Sequence, residues 1–358
     1  MPGLSLLRFF VQRLWAVLVT LLFITAIIFG TVLLAPVETR AQLYMSSHIR
    51  EGLSAQTFQN YLDRIIREHG MDDPYPVQYF RWVSLLLQGE WGWSPILRTD
   101  VLDALLARTP ATLELTLYSL LLFLPLGLFC GAVAGWNRNR RSDGTFRLFA
   151  YVATSIPPFI LGLILMSIFY VGLHWFLPGY IDTDASLAVH SASFRTITGL
   201  LTIDGLLNGQ PSVSLDAARH LILPVVTLSS FHWATLGRVT RASVIEETNK
   251  EYITAAHARG LSRRRILWGH TVPNVLVPSL TTSALSAATL ITGVYVIELV
   301  FDRPGVSKLI TDSMWQPDVA MATGFAVYSV VAVLLVMILL DIVQVIADPR
   351  LRGGGGEL

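Results

Sequence analysis

Apolar residues collect into six stretches separated by polar segments, a pattern typical of helices that cross a membrane. A spanning helix needs about 20 mainly apolar residues. The six stretches cover residues 14–36, 113–136, 148–177, 221–236, 276–300 and 321–346. The pattern therefore predicts an all-α integral membrane protein with six transmembrane helices.

Two of these stretches depart from a simple span. The third is interrupted by Pro157-Pro158, which a membrane helix can tolerate as a kink when neighbouring groups satisfy the freed carbonyls. The fourth is short and contains His232. We therefore expect its helix to continue past the bilayer toward Arg238 and Arg241.

The first stretch follows Arg8 and Arg13, as the apolar part of a secretory signal does. It is longer than a typical signal peptide allows, and no convincing cleavage site follows it. We therefore predict that residues 14–36 stay in the protein as a transmembrane helix.

Charged residues in the loops predict the orientation, because short cytoplasmic loops carry an excess of Lys and Arg. The loop at 136–147 has four arginines against one aspartate, and the loop at 238–270 is also rich in arginine. The loop at 179–220 has four aspartates against two arginines. Six spans with both termini in the cytoplasm satisfy these loops and leave the long segment 37–110 outside.

These boundaries divide the chain into four parts. One of them, the external segment, is expected to fold as a small cap with a helix at 57–69. The parts are an N-terminal transmembrane helix at 1–36, an external segment at 37–110, a membrane core of five helices at 111–346 with a cytoplasmic loop at 237–272, and a cytoplasmic tail at 347–358. The tail contains a glycine run, which is typical of flexible segments.

The composition agrees with a membrane protein and narrows the possible partners. Hydrophobic residues make up 53% of the chain, charged residues only 14%, and the mean hydropathy is +0.56. A net charge of +1 gives no electrostatic field for a nucleic acid. The single cysteine, Cys130, lies in an apolar run and excludes an internal disulfide and a multi-thiolate metal site. We predict no metal site and no nucleic-acid partner.

The sequence contains no nucleotide-binding motif. The only lysines are Lys250 and Lys308, and neither stands in a Gly-Lys-Ser/Thr phosphate loop. Any ATP hydrolysis must therefore take place in another chain. The motifs His-Glu-x-x-His and Gly-x-Ser-x-Gly are also absent, which argues against an intramembrane enzyme. We predict no catalytic and no cofactor-binding residue.

A self-sufficient ion-coupled carrier is the alternative, and it would need ionisable groups inside the membrane. The candidates near the spans are Glu114, His174, His232 and Asp341. Their positions near span ends favour interfacial or snorkelling side chains over a proton relay. No ladder of carboxylates occurs at mid-membrane in the sequence.

The cytoplasmic loop between the fourth and fifth spans has the local chemistry of a docking element. Ala255, Ala256 and Ala258 predict a short helix with little side-chain bulk, and Gly260 permits a turn with positive φ. Ser262 can cap the helical stretch at 263–270. From spacing alone, a surface for a protein partner and a basic loop held on anionic lipid are equally open.

Several blocks of residues in this order resemble one family. They are Glu251, Tyr252, Ala256, Ala258, Arg259, Gly260, Leu261 and Ser262 with His270, Asn274 and Pro278; upstream Asp73-Pro74, Gln78-Tyr79, Gly89, Gly92, Ser94 and 108–113; and downstream Phe301, Pro304-Gly305 and 348–350. The blocks cover nearly the whole chain. They resemble the permease subunits of binding-protein-dependent ABC importers, in the dipeptide/oligopeptide/nickel branch.

The resemblance implies a type I ABC importer permease fold with an external insertion between the first two helices. It implies a second homologous permease, two ATP-binding subunits that hold ATP and Mg²⁺, an extracytoplasmic solute-binding protein and membrane lipid as partners. The implied setting is a bacterial or archaeal cytoplasmic (inner) membrane. The implied coupling interface to an ATPase comprises Glu251, Tyr252, Ala255, Ala256, Ala258, Arg259, Gly260, Leu261 and Ser262.

Three departures weaken any inference about the solute. The chain has Ala35-Pro36-Val37-Glu38 where the family commonly has Pro-Gly-Asp, Pro273 where a basic residue is frequent, and an extended external loop at 181–219. Peptides are expected, while nickel chelates and sugars stay open. The sequence assigns no residue to the substrate path.

Overall fold

Long helices joined by short connections make up most of the computed structural model, which describes residues 2–44, 55–314 and 318–347. The helices and strands are α1 (Pro2–Val32), α2 (Val37–Arg40), α3 (Ala55–Glu68), α4 (Tyr75–Gln88), β1 (Trp93–Ser94), β2 (Thr99–Asp100), α5 (Val101–Trp136), α6 (Arg141–Ser155), α7 (Pro158–Leu165), α8 (Thr183–Val189), α9 (Leu201–Leu207), α10 (Pro211–Glu247), α11 (Glu251–Ala258), α12 (Arg263–Ile266), α13 (Val272–Val300), α14 (Val306–Met314) and α15 (Val319–Ala347). A 3₁₀ turn covers Ala41–Tyr44, and π-helical turns cover Met166–Gly172 and Leu267–Thr271. The predicted tail beyond Ala347 lies outside the described residues.

Length and apolar composition identify three described segments that can cross a membrane: Val11–Val32, Val101–Trp136 and Val319–Leu339. They coincide with the first, second and sixth predicted stretches. Helices α6 and α7 together provide a fourth if the pair is one span. The described part of the chain is therefore consistent with a multi-pass membrane protein.

The break inside the third predicted stretch is sharper than the expected kink. Helices α6 and α7 meet at an angle of 100°. Ile156 between them has extended backbone angles, φ −103° and ψ 121°, as a residue before proline prefers. Pro157 and Pro158 also lack the N–H groups that would continue the helix. The stretch at 148–177 is thus two helices at an angle rather than one kinked helix.

The helix of the fourth stretch continues toward Arg238 and Arg241, as the sequence predicted. Helix α10 contains Pro224 and runs beyond Arg238 and Arg241 to Glu247. Helix α13 covers the fifth stretch, and its apolar part is Leu285–Val300.

One compact unit is built mainly from Ala111–Pro304. Helix α10 lies at its centre and contacts α6, α7, α9 and α13, and the apolar core includes Phe123, Leu228 and Leu290. Helices α5 and α10 approach closely where Gly131 meets Gly237. A Cβ atom on Gly131 would lie 2.5 Å from the Gly237 carbonyl oxygen. Small residues at such contacts let membrane helices pack backbone to backbone.

The second compact unit comprises Arg8–Pro110 and Gly305–Leu334. Phe29 of α1, Trp82 of α4 and Val327 of α15 form one apolar cluster. Asp318 caps α15 by accepting the Met321 N–H at 2.8 Å, and its other oxygen accepts from Ser94 Oγ at 2.5 Å. The predicted helix at 57–69 is α3, which packs within this unit.

Candidate coupling surface

Helix α11 has one face packed against its own chain and one face exposed. Ile253 and Ala256 are buried together with Ile266, and Trp136 and Leu261 pack against them. The exposed residues of the helix are Glu251, Tyr252, Thr254, Ala255, His257 and Ala258. The three alanines predicted to face a partner are therefore divided: Ala255 and Ala258 are accessible, whereas Ala256 is not.

The turn after α11 is a Schellman motif, which ends a helix with two backbone hydrogen bonds. The Gly260 N–H donates to His257 O at 2.9 Å, and the Leu261 N–H donates to Ala256 O at 3.2 Å. Gly260 has φ +77°, as the sequence predicted. Because this φ favours glycine, the direction of the chain after α11 is fixed by that residue.

Ser262 begins the next helical segment as predicted. Its hydroxyl accepts the Arg265 N–H at 3.4 Å at the N-terminus of α12. The π-helical turn then leads into α13. Four arginine side chains in this part of the chain are exposed: Arg259, Arg263, Arg264 and Arg265. The loop therefore presents positive charge beside the exposed face of α11.

Tyr252 links α11 to the ends of α10 and α13. Its hydroxyl donates to Glu247 Oε1 and accepts from Asn274 Nδ2 at 3.0 Å. Lys250 Nζ contacts the other Glu247 oxygen at 2.5 Å. Burial raises the pKa of Tyr252, and the hydrogen bond to Glu247 raises it further. The phenol therefore stays protonated and holds α11 against both long helices.

A second anchor joins the first turn of α6 to α10. Asp143 is fully buried and accepts two hydrogen bonds from the Arg241 guanidinium, to Oδ1 at 2.5 Å and to Oδ2 at 2.9 Å. Asn139 N–H also donates to Oδ2 at 2.9 Å. Two parallel N–H···O bonds between charged groups are a strong, directional contact. The sequence signal was Asp143 as the one acid among four arginines of the loop at 136–147.

A cavity of about 320 Å³ opens beside α11. It lies between the ends of α5 and α10, and its lining includes Trp136, Arg138, Arg140, His257 and Arg263. Among the residues that the structure describes, no aspartate or glutamate lines it. The cavity therefore adds positive charge next to the accessible face of α11.

Glu114 is enclosed by the protein, whereas the sequence favoured an interfacial or snorkelling side chain. Its side chain is fully buried, accepts from the backbone N–H of Thr202 at 2.9 Å and from its hydroxyl at 2.7 Å, and contacts Arg303 Nη2 at 3.4 Å. The Arg303 guanidinium lies 4.8 Å from the Tyr180 ring centre. Burial and the neighbouring Glu114 raise the pKa of Tyr180. These contacts join α5, α9 and the chain after α13.

The other ionisable candidates are separate from this cluster. His232 is buried and its ring lies 5.5 Å from that of Phe123, whereas His174 is exposed with φ +53°. The side chain of Asp341 is outside the described part of the structure. Neither histidine with a described side chain is joined to Glu114 by a hydrogen bond.

Comparison of the sequence with known proteins identifies its relatives. Residues 124–353 match the family described as "Binding-protein-dependent transport system inner membrane component", and residues 6–116 match its N-terminal counterpart. The chain is 35% identical to the "Probable D,D-dipeptide transport system permease protein DdpB" of Escherichia coli (strain K12), over 83% of this chain and 86% of the relative.

Two further relatives carry similar names. The chain is 31% identical to the "Di/tripeptide transport system permease protein DppB" of Pseudomonas aeruginosa (strain UCBPP-PA14), over 97% of this chain and 99% of the relative. It is also 31% identical to the "Oligopeptide transport system permease protein AppB" of Bacillus subtilis (strain 168), over 81% of this chain and 84% of the relative. The similarity extends over nearly the whole length of these proteins.

Proposed function

This chain belongs to the family of binding-protein-dependent transport system inner membrane components, and from that premise we propose that it is the permease subunit of an ATP-driven importer of peptides. The match over residues 124–353 is the observation that carries the proposal. Relatives with 31–35% identity are named as peptide permeases, which supports peptides as the solute. The chain is a membrane component of its transporter and not the catalytic subunit.

The proposed membrane arrangement has six spans with both termini in the cytoplasm. The spans are formed by α1, α5, the α6–α7 pair, α10, α13 and α15, and residues 37–110 form an external insertion. The apolar segments Val11–Val32, Val101–Trp136 and Val319–Leu339 support three of these spans. The excess of arginine in the loops at 136–147 and 238–270 supports their cytoplasmic position.

The proposed contact with the ATPase is the exposed face of α11. Thr254, Ala255 and Ala258 offer a face without bulky side chains, which can sit deeply in a groove of another protein. Glu251, Tyr252 and the turn at 259–262 complete the proposed interface. In this arrangement a pair of ATP-binding subunits holds ATP and Mg²⁺, a second permease completes the membrane pathway, and an external solute-binding protein delivers the peptide in a bacterial or archaeal inner membrane.

Movement of α11 would be carried into the membrane by its anchors. Tyr252 ties α11 to α10 and α13 through Glu247 and Asn274. Ile253 and Ala256 of α11 add an apolar contact with Ile266. A short helix held at this many points moves with its neighbours rather than independently of them. Closure of the ATPase pair would therefore tilt the long helices, as in a two-state alternating-access transporter.

The first test is affinity purification of the tagged chain from its native membrane, followed by mass spectrometry. Recovery of a second permease and of ATPase subunits is expected. A pure homo-oligomer without an ATPase would contradict the proposal. Peptide uptake by this chain alone in liposomes, driven by a proton gradient, would instead establish an ion-coupled carrier.

The second test asks whether the small face of α11 is the contact. Ala255→Trp adds bulk to that face, and Ala192→Trp adds the same bulk to an exposed position in the external loop. We expect Ala255→Trp to lower the recovery of ATPase subunits and peptide uptake at least tenfold, with normal amounts of the chain in the membrane. Equal recovery in both variants would remove α11 from the interface.

A further inference from the structure

Three potential metal ligands meet outside the site described above, where the external loop reaches the start of α10. They are Asp182, Asp216 and His220, and one ligand atom from each lies within 4.8 Å of the other two. His220 Nε2 is 3.5 Å from Asp182 Oδ1, and His220 Nδ1 is 3.5 Å from Asp216 Oδ1. Sequence reasoning treated the two aspartates only as external charges and predicted no metal site.

His220 is buried, and one of its two ring nitrogens is already hydrogen-bonded to the backbone. The side chain is only 2% exposed. Nδ1 lies 2.9 Å from the backbone carbonyl oxygen of Asp216. A carbonyl can only accept, so Nδ1 donates this hydrogen bond, and whenever the ring is neutral its lone pair is on Nε2. Among the described residues no hydrogen bond reaches Nε2, which faces the Asp182 carboxylate.

One of the two carboxylates, that of Asp216, is also held by a contact outside the histidine. Asp182 stands at the N-cap of α8, where an aspartate usually accepts a hydrogen bond from the helix, yet its side chain makes no such bond. Asp216 Oδ2 accepts the Asp182 N–H at 2.7 Å. This bond fixes the Asp216 carboxylate, whose other oxygen, Oδ1, lies 3.5 Å from His220 Nδ1.

We propose that Asp182, Asp216 and His220 form a binding site for a divalent transition metal ion of the zinc type. A tetrahedral ion with bonds of about 2.0–2.1 Å places its ligand atoms about 3.4 Å apart, close to the 3.5 Å between Nε2 and Asp182 Oδ1. Two carboxylates balance the charge of a divalent ion. The imidazole selects against Mg²⁺ and Ca²⁺, which prefer oxygen ligands.

The arrangement also has the accessory features of a metal site. The bond from Nδ1 to a backbone carbonyl orients the ring, as second-shell contacts do for metal-bound histidines. Asp182 is 42% exposed and leaves a path for the ion to enter. Three protein ligands leave a fourth position for water. A bound ion would tie the segment before α8 to the first turns of α10.

The competing arrangement is an ion pair without metal, in which His220 is protonated and both nitrogens face carboxylates. The two differ in what they bind, so a direct binding measurement separates them. The proposal rests on these three residues alone and does not depend on the transport function proposed above.

The test uses the full-length chain purified with its native partners and stripped with EDTA. Zn²⁺ binding is measured by competition with a colorimetric chelator and by elemental analysis after gel filtration. His220→Gln and Asp182→Asn are compared with the matched controls His190→Gln and Asp184→Asn, which change an exposed histidine and an exposed aspartate of the same loop. Mg²⁺ and Ca²⁺ are added in excess to test selectivity.

We expect one Zn²⁺ per chain that excess Mg²⁺ and Ca²⁺ do not displace, and at least tenfold weaker binding in His220→Gln and Asp182→Asn, with both controls unchanged. Zn²⁺ should also raise the melting temperature of the unmodified chain and of the controls, but not of the two site variants. Asp182→Asn changes a partly exposed side chain and keeps the test valid if His220→Gln fails to fold. Equal binding in all variants, or no retained Zn²⁺, would overturn the site in favour of the ion pair.

Discussion

The guanidinium of Arg241 donates two hydrogen bonds, of 2.5 and 2.9 Å, to the buried carboxylate of Asp143. Replacing Arg241 by alanine leaves the buried carboxylate of Asp143 without its positively charged partner. Arg241→Ala should therefore destabilise the folded chain by about 3 kcal/mol. The measurement is thermal unfolding of the detergent-solubilised protein.

Arg238→Ala is the control for this pair, because it removes an arginine from the same helix without touching Asp143. We expect its melting temperature to stay within a degree or two of the unmodified protein. Equal losses in the two variants would mean that positive charge on α10, rather than the ion pair, stabilises the chain.

Gly131 permits the close approach of α5 and α10. A Cβ atom there would meet the Gly237 carbonyl oxygen at 2.5 Å, whereas a Cβ atom on Gly144 of α6 would have nothing within 4 Å. Gly131→Ala should separate the helices and lower the yield of folded protein several-fold. Gly144→Ala should be neutral or stabilising by up to about 1 kcal/mol, because alanine favours the helix. The two variants are compared by size-exclusion profile and melting temperature. Equal profiles and equal melting temperatures would contradict the packing argument.

Gly260 directs the chain away from α11. A β-branched residue at φ +77° is strained by about 1–2 kcal/mol. Gly260→Val should therefore disturb the Schellman turn and reduce peptide uptake at least tenfold, while insertion into the membrane stays normal. Uptake and membrane content are measured in the same cells.

Gly209→Val is the matched control for this turn, since Gly209 has φ +68° and lies in open space between α9 and α10. It imposes a similar backbone strain far from α11. Normal uptake with Gly260→Val, or equal loss with both variants, would argue against a coupling role for the loop.

Asp204 of α9 organises the residues that precede this helix, 197–199. Burial opposes its ionisation, but hydrogen bonds from Thr198, Gly199 and Ile197 outweigh that effect and lower the pKa of the carboxyl group. A lowered folded-state pKa contributes stability above the unfolded value of about 3.9, and this stability is lost as pH falls through the folded pKa. The loop should therefore stay ordered at neutral pH and loosen only in strong acid.

Hydrogen exchange of the amides at 197–199 measures this dependence. Asp204→Asn should increase their exchange at neutral pH and abolish the additional loosening in acid. Asp184→Asn, which changes an exposed carboxylate, should leave both unchanged. Slow exchange at neutral pH in the Asp204→Asn variant would show that the loop is held by other contacts.

Local features of this protein were accessible from the sequence because they depend on residues close together in the chain. Apolar length predicted the helices that include Val11–Val32 and Val319–Leu339. Turn and cap chemistry predicted the positive φ at Gly260 and the cap at Ser262. These interactions involve neighbours within a few residues, so their outcome does not depend on how the helices pack. The role of the loop in coupling stays a prediction.

Contacts between distant residues were decided only by the tertiary structure. Hydropathy gave Glu114 a depth but no partner, and the fold pairs it with Arg303. Composition suggested that Ala256 was as accessible as Ala255, and packing against Ile266 buries it. Pro157-Pro158 predicted a kink but not the 100° angle between α6 and α7. A sequence fixes which groups can pair and where a chain can bend, whereas helix packing decides which groups meet and which face is left for a partner.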